Sequence, residues 1–384
     1  MKRRNNLYKD TYDLNNIIKM TNKVCSTVRN KQKVEKFELY KTEHIINIRN
    51  RLLNQDLHLG KYNIFLITDP KCRVVAAQEI EDKIINHLIA EYVLVETFEP
   101  KFTNSMIATR KGKGTSYGIN LLKKYLNEIK SKYDNFYVLK IDIKKYFYNL
   151  DHAILKRILN DNIKDKDALN VLYKIINSTN EKYINEKIIN LKDKRIIYLK
   201  DLKIKVQEKQ KLIKETLNIP IYKKNKGVPI GDQTSQVFEL IYLLELNHYI
   251  KEDLRIKYLL NYMDDFVLIH HDKRYLEYCL KCIENKLKTS YKLEINKNKT
   301  KMDNIKNGID FLGYRFYIKN NRILMKLKNS TKKKFKKKVK KVNLLLKYRL
   351  ISDIEAKRIL SSYKGLLMYG SCNNLYYKNV GEKI

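Results

Sequence analysis

The chain has 384 residues, and 80 Lys and Arg face 42 Asp and Glu, a formal charge of +38 at pH 7. It is 43% hydrophobic, enough for a sizeable core in two or three subdomains, and no window reaches the roughly 18 apolar residues of a membrane-spanning helix. The positive charge is spread along the chain rather than gathered on one amphipathic helix, which argues against a membrane surface and for a polyanion, with nucleic acid first.

The start, "MKRRNNLYKDTYD", is basic with no apolar stretch behind it, so no secretory leader is expected and the cytoplasm is the expected compartment. The five cysteines then read as reduced thiols. Residues from about 10 to 55 carry helical apolar periodicity and no evident chemistry. Residues 62–77, "YNIFLITDPKCRVVAA", predict strand, turn and strand, with Asp69-Pro70 at the turn. A helix is predicted from about Ala77 to Phe98. Residues 109–118, "TRKGKGTSYG", form the one glycine-rich loop, whose glycines let backbone amides approach a phosphate.

"FYVLKIDIKKYF" at 136–147 starts as a strand, with a helix beginning near Asn149. From about 159 to 217 the chain is charged and weakly patterned, and reads as a solvated helical insertion. "GVPIGDQTSQVFELIYLLELNHYI" at 227–250 is a loop feeding a long buried helix. "KYLLNYMDDFVLIHH" at 257–271 follows as two apolar runs around a turn expected at 263–265. In "YLEYCLKCIENKLK" the CxxC of Cys279 and Cys282 lies among Leu276, Leu280, Ile283 and Leu287 at helical spacing. With no second pair nearby, these cysteines read as core rather than as metal ligands. "KLEINKNKTKM" and a strand pair, "IDFLGYRFYI", come next. The basic end is helical, and in "TKKKFKKKVKKVNLLLKY" the residues Phe335, Val339, Val342 and Leu346 make a one-sided stripe that is expected to pack on the main sheet.

The chemistry concentrates at Asp264 and Asp265. Asp-Gly or Asn-Gly is the usual choice for a tight hairpin turn, and two adjacent charges between apolar strands need partners. Asp142 ends another strand whose alternate residues are apolar. If the two strands share a sheet, Asp142 and Asp264 converge, and an oxygen-rich set of this kind suits Mg²⁺ and phosphoryl or nucleotidyl transfer.

These motifs, in this order, resemble the reverse transcriptases. "YMDD" after an apolar strand, with "IDIKKYF" upstream, is similar to that family's metal-binding motifs. The resemblance implies an α+β right hand: fingers, a palm with an antiparallel RRM-like sheet, and a helical thumb. The expected boundaries are an N-terminal helical extension at 1–55, fingers at 56–135, palm at 136–158 and 218–320 around the 159–217 insertion, and a thumb at 321–384. It implies two Mg²⁺ ions, or Mn²⁺ in their place, at Asp142, Ile143, Asp264 and Asp265. Lys299 of "LEINKNKTK" is implied as the acid that protonates pyrophosphate.

"TDPKCRVV" resembles a fingers motif, so Lys71 and Arg73 are implied to meet the incoming triphosphate. Two residues apart, they would share one face of a strand. "SMIATRKGKGT" resembles the next, placing Arg110 at the nucleotide and Lys111 and Lys113 at nucleic acid. Phe147 falls where an aromatic residue blocks a ribose 2′ hydroxyl, and Gly231 and Gln236 of "PIGDQTSQ" fall under the nucleotide. "FLGYRF" resembles a primer-gripping hairpin. Lys333, Lys336, Lys337 and Lys340 of the last basic run are expected to track a phosphate backbone.

Ile230-Gly231 and Ser235-Gln236 resemble the enzymes of diversity-generating retroelements and their bacterial relatives, including retron-like and defence-associated groups; Asp232 stands where such relatives often have Asn. The expected role is cDNA synthesis on an RNA template, with deoxynucleotides, in bacterial antiphage defence. The expected partners are a structured non-coding RNA and an accessory protein or a second copy of the chain. Mutagenic retrohoming, a retron-type role and an RNA-binding scaffold are the alternatives.

Overall fold

The computed structural model describes residues 3–55, 60–68, 71–369 and 373–380. Three helices open the chain, α1 (Leu14–Thr27), α2 (Lys31–Leu39) and α3 (Lys41–Leu53). Asp13 and Asn30 cap the first two by accepting from the amides of Asn16 and Lys33. Ile17, Met20, Val24, Ile48 and Leu52 are buried in one cluster with α4 (Ile80–Ile89). That helix continues through a π-helical turn at Ala90–Val95 into α5 (Glu96–Phe98). It begins later than predicted because the residues before it belong to a strand. β1 (Asn63–Ile67) and β2 (Arg73–Ala77) pair antiparallel, as the alternation predicts. The predicted turn at Asp69-Pro70 lies outside the described residues.

After α6 (Thr115–Lys130) comes the central sheet, made of β3 (Tyr137–Asp142), β4 (Tyr258–Tyr262), β5 (Asp265–His270) and β6 (Lys301–Asn304). Its order is β4-β5-β3-β6 with every pair antiparallel. Taken in chain order this is 2-3-1-4, the split β-α-β arrangement of an RRM-like palm. Both faces are covered. Leu139, Ile141, Leu259, Phe266 and Leu268 point into the larger core. Val138, Leu260, Val267 and Ile269 point into a second one on the opposite face. The alternation of period two is therefore apolar on both sides, and the strands read as unbroken apolar runs.

Between β3 and β4 run α7 (Tyr146–Asn149), α8 (His152–Asn162), α9 (Lys166–Asn177), α10 (Lys182–Asp201), α11 (Val206–Leu217), α12 (Gln233–Tyr242) and α13 (Leu244–Glu252). The chain turns helical at Tyr146, earlier than predicted. The reading of 159–217 as a solvated insertion needs correction. Leu159, Val171, Leu172, Ile175 and Ile176 lie in the main core. Ile184 and Ile188 of α10 pack with Tyr62, Ile64, Val74 and Ala76 beneath the β1–β2 hairpin. Burying an Ile or Leu contributes about 1.5–3 kcal/mol, so this segment supports the fingers. Only the outer parts of α10 and α11 are largely exposed.

α14 (Lys273–Tyr291) carries the CxxC, with Cys279 buried and Cys282 half-buried, and both are free thiols, as expected of core residues. A second sheet, β7 (Ile309–Phe311), β8 (Tyr314–Lys319) and β9 (Arg322–Leu327), follows. The β7–β8 turn places Leu312 and Gly313 at φ 44 and 90, the positive values a two-residue hairpin of this kind requires. β9 corrects the expectation of a wholly helical segment from 321 onward. Three helices complete the fold: α15 (Asn329–Lys347), α16 (Asp353–Tyr369) and α17 (Asn373–Val380). Phe335, Val339 and Val342 are buried and Leu346 is partly buried, as the stripe predicts. The ring contacts of Phe335 are to Tyr363 and Tyr376 of the neighbouring helices, and the palm belongs to the same apolar cluster. Among the described residues no helix is long and apolar enough to cross a membrane.

Candidate active site

The register of the sheet brings the predicted carboxylates together. Asp142, the last residue of β3, is paired directly with Asp265, the first residue of β5. The intervening turn is Met263-Asp264, one residue shorter than expected, with Met263 at φ 56. The amide of Ile143 donates to the carbonyl of Asp264 at 3.2 Å, which pins the end of β3 to the turn. The Asp142 carbonyl accepts from the Asn296 amide at 2.7 Å.

Two lysines answer the acids. Lys299 Nζ donates to both oxygens of Asp142, at 2.8 and 2.7 Å. Lys140 Nζ donates to Asp265 at 3.1 Å. Asp264 has no such lysine contact among the described residues, and its carboxyl is pushed up to about 6 by burial and then by the like charges of Asp265 and Asp142. Among the described residues no three acidic, histidine or cysteine side chains lie close enough to enclose a metal ion. The outer carboxylates are turned to lysines instead. The set still fits divalent cations in its chemistry: it is all oxygen, it is charged, and positive groups already sit against it.

A buried amide supports the turn, and sequence reasoning missed it. Asn261 Nδ2 donates to the Met263 carbonyl at 2.6 Å, and Asn261 is 1% exposed. Asn247 Nδ2 donates to Asn261 Oδ1 at 3.2 Å. The backbone of Asn261 also bonds Ser105 and Ile107, which ties the turn to the strand-like segment under the fingers. Its only signal was a polar residue inside an apolar run, as is true of Lys140 in "VLKID".

The nucleotide-side residues divide. The amide of Ala76 donates to the Ile230 carbonyl at 2.8 Å, docking the fingers hairpin on the "PIGDQTSQ" loop. Gly231 there has φ 134, and a Cβ on it would stand 2.4 Å from the Ala76 carbonyl, so no other residue fits this junction. Tyr62 Oη donates to Asp232 at 2.7 Å, and burial raises the Asp232 carboxyl to about 7. Gln236 is half-buried one turn on. Phe147 is half-buried beside Tyr146, whose hydroxyl donates to the Glu239 carbonyl at 2.6 Å. Lys71 precedes β2, so the same-face argument for Lys71 and Arg73 does not apply. Arg73 nevertheless acts electrostatically on Tyr148 and Glu239, which directs its charge toward the palm.

Arg110 is not available to a nucleotide. Its guanidinium donates to Glu99 through Nε and Nη2 and to the carbonyls of Thr103 and Met106, and it stacks on Phe102. It is a clamp for the 99–110 turn. Lys111 is exposed, whereas Lys113 donates to Asn104 at 2.9 Å and lies over Tyr117.

A cavity of about 470 Å³ opens beside Asp142, with Lys299, Lys301, Asp310, Arg315 and Lys328 on its walls. It joins the carboxylate end of β3 to the β7–β8 hairpin. On α15, Lys333, Lys336, Lys337 and Lys340 are all exposed, around a buried stripe.

Residues 68–316 match the model of a family described as reverse transcriptase (RNA-dependent DNA polymerase). Among solved structures, the chain is similar to apo telomerase from Candida tropicalis truncated from the C-terminal domain. The identity is 16% and the TM-score 0.41, over 69% of this chain and 55% of that one. The chain thus spans about half the length of that relative. No curated protein matches it.

Proposed function

The chain belongs to the reverse transcriptase family, and from that premise we propose that it extends a primer with deoxynucleotides on an RNA template. The observation that carries the reading is the pairing of Asp142 with Asp265 across adjacent strands, with Asp264 in the turn between β4 and β5. Asp142, Asp264 and Asp265, with Ile143 beside them, are the residues that would hold Mg²⁺ or Mn²⁺. Such ions supply activation of a primer hydroxyl and neutralisation of a departing pyrophosphate.

The remaining roles belong to side chains. Lys299, which donates to Asp142, is read as the acid toward the leaving group. Lys71 and Arg73 supply positive charge for the triphosphate. Phe147 lines the sugar side, and Gly231 and Gln236 underlie the base. Lys111, Lys113 and the α15 lysines meet the nucleic-acid backbone, where each neutralised duplex phosphate contributes about 0.9 to the salt slope. The test is direct: purified protein with Mg²⁺, a primed RNA and deoxynucleotides extends the primer. Failure under every primer and cation tried removes the reading in favour of an RNA-binding scaffold.

The motif choice of Ile230-Gly231 and Ser235-Gln236 supports a narrower role, antiphage defence in bacteria with a dedicated structured RNA. Sequencing the copurifying RNA and the DNA made on it tests this. A repetitive or non-genomic product supports defence, and adenine-specific errors point to diversification instead.

A further inference from the structure

The N-terminal helices α1 and α2 do more than pack against α4. A second cavity, of about 430 Å³, lies where the link between them meets β2, the start of α4 and the Gly231 loop. That is within the roughly 300–1,000 Å³ of ordinary ligand sites. Arg29 comes to its wall from the α1–α2 link, Lys33 from the first turn of α2 and Lys83 from the first turn of α4. Among the described residues that line it, Asp232 is the one acid, and Tyr62 already donates to it at 2.7 Å.

The positive wall is not neutralised from within. Lys33 pairs with Glu79 at 2.5 Å, but Arg29 and Lys83 make no ion pair among the described residues. Burial lowers the Lys83 ammonium from its ordinary value, with Cys25 opposing and Lys33 adding to the effect, so like charges meet there. Gln78, in the turn before α4, also lines the cavity. Its amide nitrogen is buried and has no hydrogen-bond partner among the described residues. A buried donor left open is costly, and it marks a place for an acceptor that the chain does not supply. Unanswered cations beside an open amide suit a partner with both phosphates and neutral acceptor oxygens, which is a nucleic-acid strand. The opposite wall is the junction of β2 with the Gly231 loop, closed by the hydrogen bond from the Ala76 amide to the Ile230 carbonyl. A strand not yet copied reaches that junction unpaired.

We propose that this cavity takes the unpaired, uncopied segment of the RNA, with Arg29 and Lys83 on its phosphates and Gln78 donating to a base or ribose oxygen. A basic channel of this kind suits a single strand. The proposal rests on the reading of Gly231 as lying beneath the base being copied, and it gives the N-terminal helices a part in holding the template.

The test compares the full chain's affinity, by fluorescence anisotropy, for two primed RNAs, one with a 5′ single-stranded template overhang and one blunt. The unaltered chain is expected to bind the overhang form more tightly. The variant R29Q/K83Q is expected to lose that advantage, and its slope of log affinity against log salt to fall by about 0.7 per cation removed, on the overhang form only. Gln78→Met is expected to weaken overhang binding about fivefold while the melting temperature holds or rises, since an open buried donor is gone. Arg29 is exposed, so Arg29→Gln alone reads the same effect should the double variant fail to fold. Equal binding of both RNAs by the unaltered chain, or equal losses on both in the variants, overturns the proposal and leaves primer extension standing. A chain that binds neither RNA and extends no primer removes the polymerase reading itself, and the proposal with it.

Discussion

Lys299 lies against Asp142, its ammonium 2.8 and 2.7 Å from the two carboxylate oxygens. The carboxylate proposed to hold a metal ion is thus countered by a lysine of the same chain. Lys299→Met removes that counter-charge, so Mn²⁺ binding tightens while single-turnover extension slows. Lys299 is about half exposed, and screening limits the pair to roughly 1 kcal/mol, about fivefold in affinity. Titration of Mn²⁺ beside a quench-flow rate checks both halves; an unchanged affinity would show that Lys299 does not compete for Asp142.

Asn261 holds the Met263-Asp264 turn through the Met263 carbonyl. Asn261→Ala deletes that bond and the one from Asn247 Nδ2, which keeps the Leu243 carbonyl as acceptor, at a cost of about 1–3 kcal/mol in stability. The turn carries Asp264, so the maximal extension rate should fall more than the Michaelis constant for nucleotide rises. Steady-state kinetics at a temperature well below the melting transition separates the two. A loss confined to the melting temperature would make Asn261 a packing residue only.

Asp232 predicts a pH dependence of stability. Burial raises its carboxyl from 3.8 to about 7, with Asp82 adding to the effect and the Tyr62 hydrogen bond opposing it. Below about pH 4 it is neutral in both folded and unfolded chains. Between about 4 and 7 the unfolded chain ionises and the folded one does not, so this group's contribution to stability is lost as pH rises through that window. Asp232→Asn removes the loss while keeping an acceptor for Tyr62. The stability gain of D232N should be absent near pH 4, grow to pH 7 and then level off, at on the order of 4 kcal/mol. A gain that is the same at every pH contradicts the buried, raised carboxyl.

The α15 lysines predict salt dependence. Lys336 and Lys337 are exposed on a helix whose other side is buried. Changing either to Gln should lower the slope of log affinity against log salt by about 0.9 on a duplex, with little change in melting temperature. Fluorescence anisotropy between low and moderate salt measures it, and an unaltered slope places the duplex elsewhere.

How much of this was legible beforehand follows from local rules. The hairpin around Asp264 could be read because its flanks are apolar on both faces, and Asp142 because its strand has the same character. The stripe on α15 was legible because helical periodicity survives a lysine-rich background. What failed depended on distant partners. Arg110 looks like a nucleotide contact until Glu99 is seen folded against it. β9 was hidden because "RILMKLKNS" runs without a break into the lysine helix, and its strand state comes from pairing with β8. The 159–217 segment looked solvated because its buried residues serve two different cores. Glu239 gave the faintest signal, one acid in an apolar helix, and only burial shows that its carboxylate has no hydrogen-bond partner among the described residues.

The measurement closest to the heart of the account is primer extension on RNA by Asp264→Ala, beside its affinity for the same primed template. The side chain lies in the turn and the exposed α15 lysines are untouched by the change, so affinity should stay within about twofold while extension disappears. Extension that persists in the variant would contradict the assignment of the palm carboxylates.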